Sequence, residues 1–235
     1  MLENNILALA AAFSLALIWL RLNDYFAHRG WISSFLSRKI IHIGTGPIFV
    51  LSWLFFDGAP EARFLAALIP LAITAQFILV GLGVIRDPAA VKAMSRTGER
   101  KEILRGPLYY GIAFVVLTLV YWKDSPIGIV ALMLLCGGDG LAEVVGRRLK
   151  TRRLPWSPGK SWAGLFAMFL GGWLLSALVL AIYHAAGEFS GTLVSYLPAL
   201  TLISLAATLA ESLPIDDIDN LSIPVVAVLL GHLLF

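Results

Sequence analysis

Apolar residues along the chain gather into long blocks separated by short polar segments, not into the stripes or alternations of a soluble core. Eight blocks stand out: Ile6–Leu20, Ile40–Phe56, Phe64–Ile85, Pro107–Trp122, Pro126–Val145, Trp162–Tyr183, Leu193–Leu209 and Leu221–Phe235. A helix needs about 20 mostly apolar residues to cross the hydrocarbon of a bilayer. Only helices satisfy their own backbone groups there. The pattern therefore predicts an all-α fold, a polytopic transmembrane helix bundle of about eight spans. The last block is short and reads as re-entrant or partly inserted, which leaves seven spans as the alternative. The longest connection, Arg86 to Gly106, carries both signs of charge and is read as an interfacial helix. No internal repeat or separate soluble domain interrupts the series, so residues 1–235 form a single integral-membrane domain on this reading.

Composition agrees with the pattern. Of 235 residues, 59% are hydrophobic and only 14% are charged. Soluble domains run nearer 45–50% apolar and about 25% charged, so this chain lacks the polar residues to cover a water-facing surface. Its one cysteine, Cys136, excludes an intrachain disulfide and a cysteine-based zinc site. Set in an apolar run, it reads as a small buried hydrophobe. The first residues carry Glu3 and no cation before the apolar run, unlike a signal peptide.

Charge then orients the spans. With the N-terminus outside and every block crossing, sixteen of the 18 Lys and Arg fall inside, and only Arg63 and Lys123 fall outside. Adding or removing an internal span scrambles this segregation, which is what the positive-inside rule describes. The net charge of +3 is thus a matter of topology and implies membrane lipid headgroups, not nucleic acid, as partners.

Acids near spans are costly, about 2.5–3.5 kcal/mol at a helix centre, and mark functional candidates. The first cluster is Gly137-Gly138-Asp139-Gly140-Leu141-Ala142-Glu143, followed by Gly146-Arg147-Arg148. Asp139 and Glu143 are four residues apart and share one helix face, with Arg147 on the same stripe. An ordinary Glu143–Arg147 pair explains part of this, but not Asp139 after Leu134-Leu135-Cys136. The second cluster, Pro158-Gly159-Lys160-Ser161-Trp162-Ala163-Gly164, opens a helix with Gly-Lys-Ser, where free N–H groups favour an anion. It is not a Walker A motif, since Leu154 stands where that pattern needs glycine. A plain helix cap beside an interfacial lysine is the competing explanation. The third, Glu211 through Asp216-Asp217 to Asp219-Asn220, is acidic without a cation and suits an oxygen-liking ion such as Mg²⁺, or else is a solvated turn. Two weaker features are His42, one turn inside the second span after Arg38-Lys39, and Tyr109-Tyr110 at the start of the fourth. A lone helix-packing histidine and an interfacial aromatic belt account for these equally well.

Together these clusters place carboxylates, an anion site and arginines on one membrane face. Phosphoryl transfer uses that mixture: metal ligands, cations for developing charge, and a base for the attacking hydroxyl. The chemistry alone indicates a membrane enzyme acting on a phosphorylated substrate.

The order of motifs also resembles the phytol kinase family, which is related to dolichol kinases and CTP-dependent diacylglycerol kinases. The likeness is carried by Arg38-Lys39-Ile40-Ile41-His42, Gly106-Pro107-Leu108-Tyr109-Tyr110, Gly138-Asp139-Gly140 with Gly146-Arg147, Lys160-Ser161 with Ala163-Gly164, Glu211-Ser212-Leu213-Pro214 and Asp219-Asn220-Leu221-Ser222-Ile223-Pro224. It runs from about residue 37 to 225. The resemblance implies transfer of a phosphoryl group from CTP or ATP, with Mg²⁺, to an isoprenoid alcohol such as phytol or a polyprenol, or to a related lipid hydroxyl. It implies Asp139, Lys160 and Glu211 as catalytic residues. Arg38, Lys39, Gly138, Gly140, Arg147, Gly159, Ser161 and Gly164 would meet nucleotide and phosphate. Asp139, Glu143, Asp219 and Asn220 would hold metal, and His42, Tyr109 and Tyr110 would touch the lipid substrate. Departures are Glu143, where the family leads us to expect aspartate, the basic run Arg148 to Arg153, and the added Asp216-Asp217. The alternatives are a CTP-dependent phosphatidate cytidylyltransferase and a transporter or scaffold, though transporter sites usually lie near the midplane. The implied location is an integral membrane protein with its active site on the cytoplasmic face, in the cytoplasmic membrane if the source is bacterial.

Overall fold

A computed structural model describes residues 4–95, 97–149, 151–214 and 219–235. All eight apolar blocks are helical. The helices are α1 (Asn5–His28), α2 (Ser34–Ser52), α3 (Ala62–Leu82), α4 (Pro88–Met94), α5 (Gly106–Tyr121), α6 (Pro126–Met133), α7 (Gly140–Arg148), α8 (Trp162–Ala185), α9 (Leu193–Glu211) and α10 (Asp219–Leu234). A π-helical turn, Leu134–Asp139, joins α6 to α7, so the fifth block is one broken helix. A small antiparallel hairpin, β1 (Arg153–Leu154) and β2 (Ser157–Ser161), lies between α7 and α8.

Among the described residues, six helical stretches are long and apolar enough to cross a membrane: Asn5–His28, Ala62–Leu82, Arg100–Tyr121, Pro126–Arg148, Trp162–Ala185 and Leu193–Glu211. The other two blocks fall in α2, which starts before its apolar run and carries Arg38 and Lys39, and in α10. With 16 residues, α10 is about 24 Å long at 1.5 Å per residue, short of a hydrocarbon core of about 30 Å. The connection expected as one interfacial helix holds α4 and a 3₁₀ turn, Arg100–Leu104.

Polar contacts fix the two ends of the bundle. At one end, Asn5 Oδ1 accepts from the Asp57 amide at 3.1 Å, Arg63 pairs with Asp124 at 2.7 Å, and Lys123 reaches Glu188 at 3.0 Å. These include Arg63 and Lys123, the two cations set apart by sequence. At the other, charged end, Arg38 donates to the Ser95 carbonyl at 3.4 Å and Asn220 donates to the Gly106 carbonyl at 3.1 Å. Between the ends, the π turn and α6 form the most deeply buried stretch, from Ile129 through Cys136. The far end is filled by Trp53, Phe56 and Trp122, with the two indoles 5.2 Å apart.

Candidate active site

Asp139 owes its position to the π turn. Inserting one residue into a helical turn rotates the downstream residues and leaves backbone groups without their usual partners, a feature frequent at functional sites. Glycines let this turn lie against α8. A Cβ on Gly137 would meet Leu175 Cδ2 at 2.6 Å, and one on Gly138 would meet Met168 Sδ at 2.6 Å. Asp139, closing the turn, faces α2, where His42 Nε2 lies 3.2 Å from its Oδ2 and 3.2 Å from the Leu135 carbonyl. Tyr110 of α5 packs on the His42 ring at 4.5 Å and donates its hydroxyl to the His42 carbonyl at 2.9 Å.

Lys160 arrives from the hairpin. Pro155 and Trp156 make the turn, and Pro158 and Gly159 lie on the exposed part of the second strand, where a missing N–H and a missing side chain cost little. That strand ends on Ser161, whose Oγ accepts from the Gly164 amide at 3.2 Å and caps α8. One residue earlier, Lys160 turns inward and binds Glu211 Oε1 at 2.9 Å, the Glu211 carbonyl, and Asp219 Oδ2 at 3.4 Å. Burial opposes the charge on this lysine, but Glu211 and Asp219 outweigh it and hold the ammonium above the usual lysine range.

Asp139, Glu211 and Asp219 each bring a carboxylate oxygen within 4.8 Å of the others. They come from the π turn, the end of α9 and the start of α10. An all-oxygen set of this kind suits a hard divalent cation, and the same set with Lys160 suits a metal-bound polyphosphate.

Glu143 belongs to a neighbouring cluster. It pairs with Lys39, with Arg147 at 2.7 Å, and with Arg38 at 3.9 Å. Arg147 also stacks on Phe35 at 4.5 Å from the ring centre. Lys39 is buried, whereas the Arg147 side chain is 60% exposed and forms the outer rim.

A cavity of about 590 Å³ opens beside these groups, between α1, α2, α3 and α5. Its polar neck includes Lys39, His42, Asp139, Glu143 and Asn220; its body is apolar. Asp139 thus faces two ways, toward this cavity and toward the carboxylates around Lys160.

The structure brings Asp139, Lys160, Glu211 and Asp219 together, with His42, Lys39 and Tyr110 adjoining. It sets the other sequence candidates differently. Gly138, Gly140 and Gly164 face helices: a Cβ on Gly140 would lie 3.1 Å from Ile43 Cδ1, and one on Gly164 3.1 Å from the Ala142 carbonyl. Gly159 is open to its surroundings. Asn220 holds Gly106 through its amide nitrogen, while its Oδ1 is buried with no hydrogen-bond partner among the described residues. Tyr109 does not line the cavity. Asp216 and Asp217 lie outside the described residues. Sequence reasoning missed the cavity walls, which nothing distinguishes from other apolar spans. It also passed over Gln76, a lone amide in the apolar run of α3, which lines the neck and donates to Asp87 at 3.3 Å.

No family model and no solved structure matches the chain. Curated relatives do. A "Probable phytol kinase, chloroplastic" of Triticum aestivum is 42% identical over 98% of this chain and 76% of its own length. A "Probable phytol kinase 1, chloroplastic" of Oryza sativa subsp. japonica is 43% identical over 98% of this chain and 73% of its own. The "Phytol kinase 1, chloroplastic" of Arabidopsis thaliana is 38% identical over 88% of this chain and 69% of its own. Near-complete coverage at this identity includes every element that builds the site, and the chain belongs to the phytol kinase family, as a helical membrane phosphotransferase with an alcohol acceptor.

Proposed function

We propose that this protein transfers the terminal phosphoryl group of CTP or ATP, with Mg²⁺, to the hydroxyl of phytol or a closely related isoprenoid alcohol. A further part of the proposal is that the whole chain is one catalytic unit, with its charged end on the cytoplasmic face. The segregation of sixteen of 18 basic residues supports that orientation. The observation that carries the catalytic reading is Asp139, shared between an apolar cavity and a three-carboxylate cluster with a lysine in it.

On this reading the nucleotide approaches from the hairpin side. Lys160 meets its phosphates, and Asp139, Glu211 and Asp219 hold the metal. A divalent ion such as Mg²⁺ held by these three carboxylates would neutralise the charge that develops on phosphoryl transfer. The alcohol approaches from the cavity. Its oxygen attacks the terminal phosphorus, the bond to the bridging oxygen breaks, and the hydroxyl proton passes to the Asp139 carboxylate. The products are a lipid monophosphate and a nucleoside diphosphate. His42, 3.2 Å from Asp139, holds that carboxylate in place. Arg38, Lys39 and Arg147 offer positive charge at the rim, balanced by Glu143.

A matrix of CTP and ATP against phytol, geranylgeraniol, a polyprenol and diacylglycerol tests the reading, with products identified by mass spectrometry. The expected product is phytyl or geranylgeranyl monophosphate together with a nucleoside diphosphate. Pyrophosphate released from CTP and phosphatidate would move the assignment to a cytidylyltransferase. No phosphorylated lipid from any pairing with Mg²⁺ present would sink the kinase reading.

A further inference from the structure

We propose that the cavity between α1, α2, α3 and α5 binds the isoprenoid chain, head at Asp139, and that its blind floor sets the chain length accepted. The inference rests on the reading above, that the acceptor is an isoprenoid alcohol, and adds where its tail lies.

Three observations carry it. The first is shape. On α2 the lining runs from Arg38 at the mouth to Phe49 at the floor, a depth of about 16 Å at 1.5 Å per residue. With a volume of about 590 Å³ the cavity falls within the usual range for small-molecule sites, about 300–1,000 Å³. The second is the division of its lining. Charged groups gather at the neck, around Lys39, His42, Asp139 and Glu143, and beside them Asn220 Oδ1 is buried with no hydrogen-bond partner among the described residues. Below them the wall is Ala12 and Ala16 of α1, Ile69 and Ile73 of α3, and the rings of Phe49 and Phe114.

The third is the closure at the bottom. Phe49 and Phe114 lie 5.7 Å apart, and Phe49 packs edge-on against Trp53 at 5.7 Å. Trp53 packs in turn against Trp122 in a tilted contact and is fully buried. An apolar chain entering at Asp139 therefore ends on this aromatic block. Ala12 and Ala16, four residues apart on one face of α1, leave the room that larger side chains would occupy. Leu17 beside them lines the cavity, while Phe13 and Ile18 on the same helix lie outside the lining and are exposed, so α1 is a thin wall through which a membrane-dissolved alcohol can enter.

The test compares Ala12→Phe and Ala16→Phe with the unmodified protein in detergent or nanodiscs. It reads kcat/KM for geraniol, farnesol, geranylgeraniol and phytol. One methylene too many in an apolar pocket is worth about tenfold or more, so the long-to-short ratio should fall at least about tenfold in both variants. Leu229→Phe, at a position 62% exposed on α10, should leave the ratio unchanged. Equal loss on all four alcohols would overturn the proposal. If neither alanine variant folds, a photoactivatable geranylgeraniol analogue on the unmodified protein decides. Phytol-competed labelling on α1, α2, α3 or α5 supports the cavity, and labelling confined to α9 and α10 refutes it. If the unmodified protein phosphorylates no isoprenoid alcohol, the kinase reading fails. If it does so with unshifted ratios, only the tail site fails.

Discussion

Lys160→Met isolates the electrostatic design of the site. The lysine pairs with both Glu211 and Asp219, and Asp139 completes the trio. Glu211 is buried, and its side chain is only 9% exposed. Removing one partner of a buried pair costs about 3–5 kcal/mol. Here the lysine side chain keeps 21% exposure and Asp219 24%, so the lower end of that range, about 3 kcal/mol, is expected. For a chain of this size that is a fall in Tm of about 6–12 °C, readable by differential scanning fluorimetry in detergent. Methionine keeps most of the stem volume, so the loss is chiefly of charge. With the ammonium gone, three carboxylates face one another, and millimolar Mg²⁺ should restore more Tm to the variant than it adds to the unmodified protein. Activity should fall about 100-fold or more, as for loss of a group that stabilises transition-state charge. The pH dependence comes from the raised ionisation of Lys160. Its stabilisation is fully present below the unfolded lysine value, about 10.4, and is lost as pH rises through the higher folded value. The Tm gap between the two proteins should therefore stay constant from neutral pH to about 10 and close only above it. A variant as stable as the unmodified protein, or a gap unmoved by Mg²⁺, would refute the reasoning.

Asp139→Asn should reduce phosphoryl transfer by about a thousandfold or more while the protein still elutes as a single peak, because asparagine keeps the shape facing His42; substantial activity removes Asp139 from the chemistry. Gly138→Ala should lower stability by about 1–3 kcal/mol through overpacking, since its Cβ would fall 2.6 Å from Met168 Sδ and 3.1 Å from the Met168 carbonyl. If instead stability holds and only the KM for nucleotide rises, the glycine serves phosphate and not packing. Tyr183→Phe tests the bundle away from the site: its buried hydroxyl donates to the Val50 carbonyl at 2.6 Å, and its loss should cost about 1 kcal/mol, seen as a small Tm shift with kcat unchanged.

The eight helices were legible in the sequence because hydropathy is a property of each segment by itself, and a run such as Trp162 to Tyr183 has no other way to satisfy its backbone in lipid. Asp139, Glu211 and Asp219 were legible for the related reason that acids beside such runs are costly without a use. What the sequence could not carry was the pairing. Asp139 and Glu143 share a helix face by spacing, yet one meets Glu211 and Asp219 while the other is taken by Lys39, Arg38 and Arg147. That division depends on a π turn that no residue pattern announces, and on a hairpin that turns Lys160 inward from what reads as a loop opening a helix. The cavity is a product of tertiary structure alone. Ala12, Phe49 and Phe114 are ordinary apolar residues in their own helices, and only the splay of α1, α2, α3 and α5 leaves a space between them, with Asp139 at its neck.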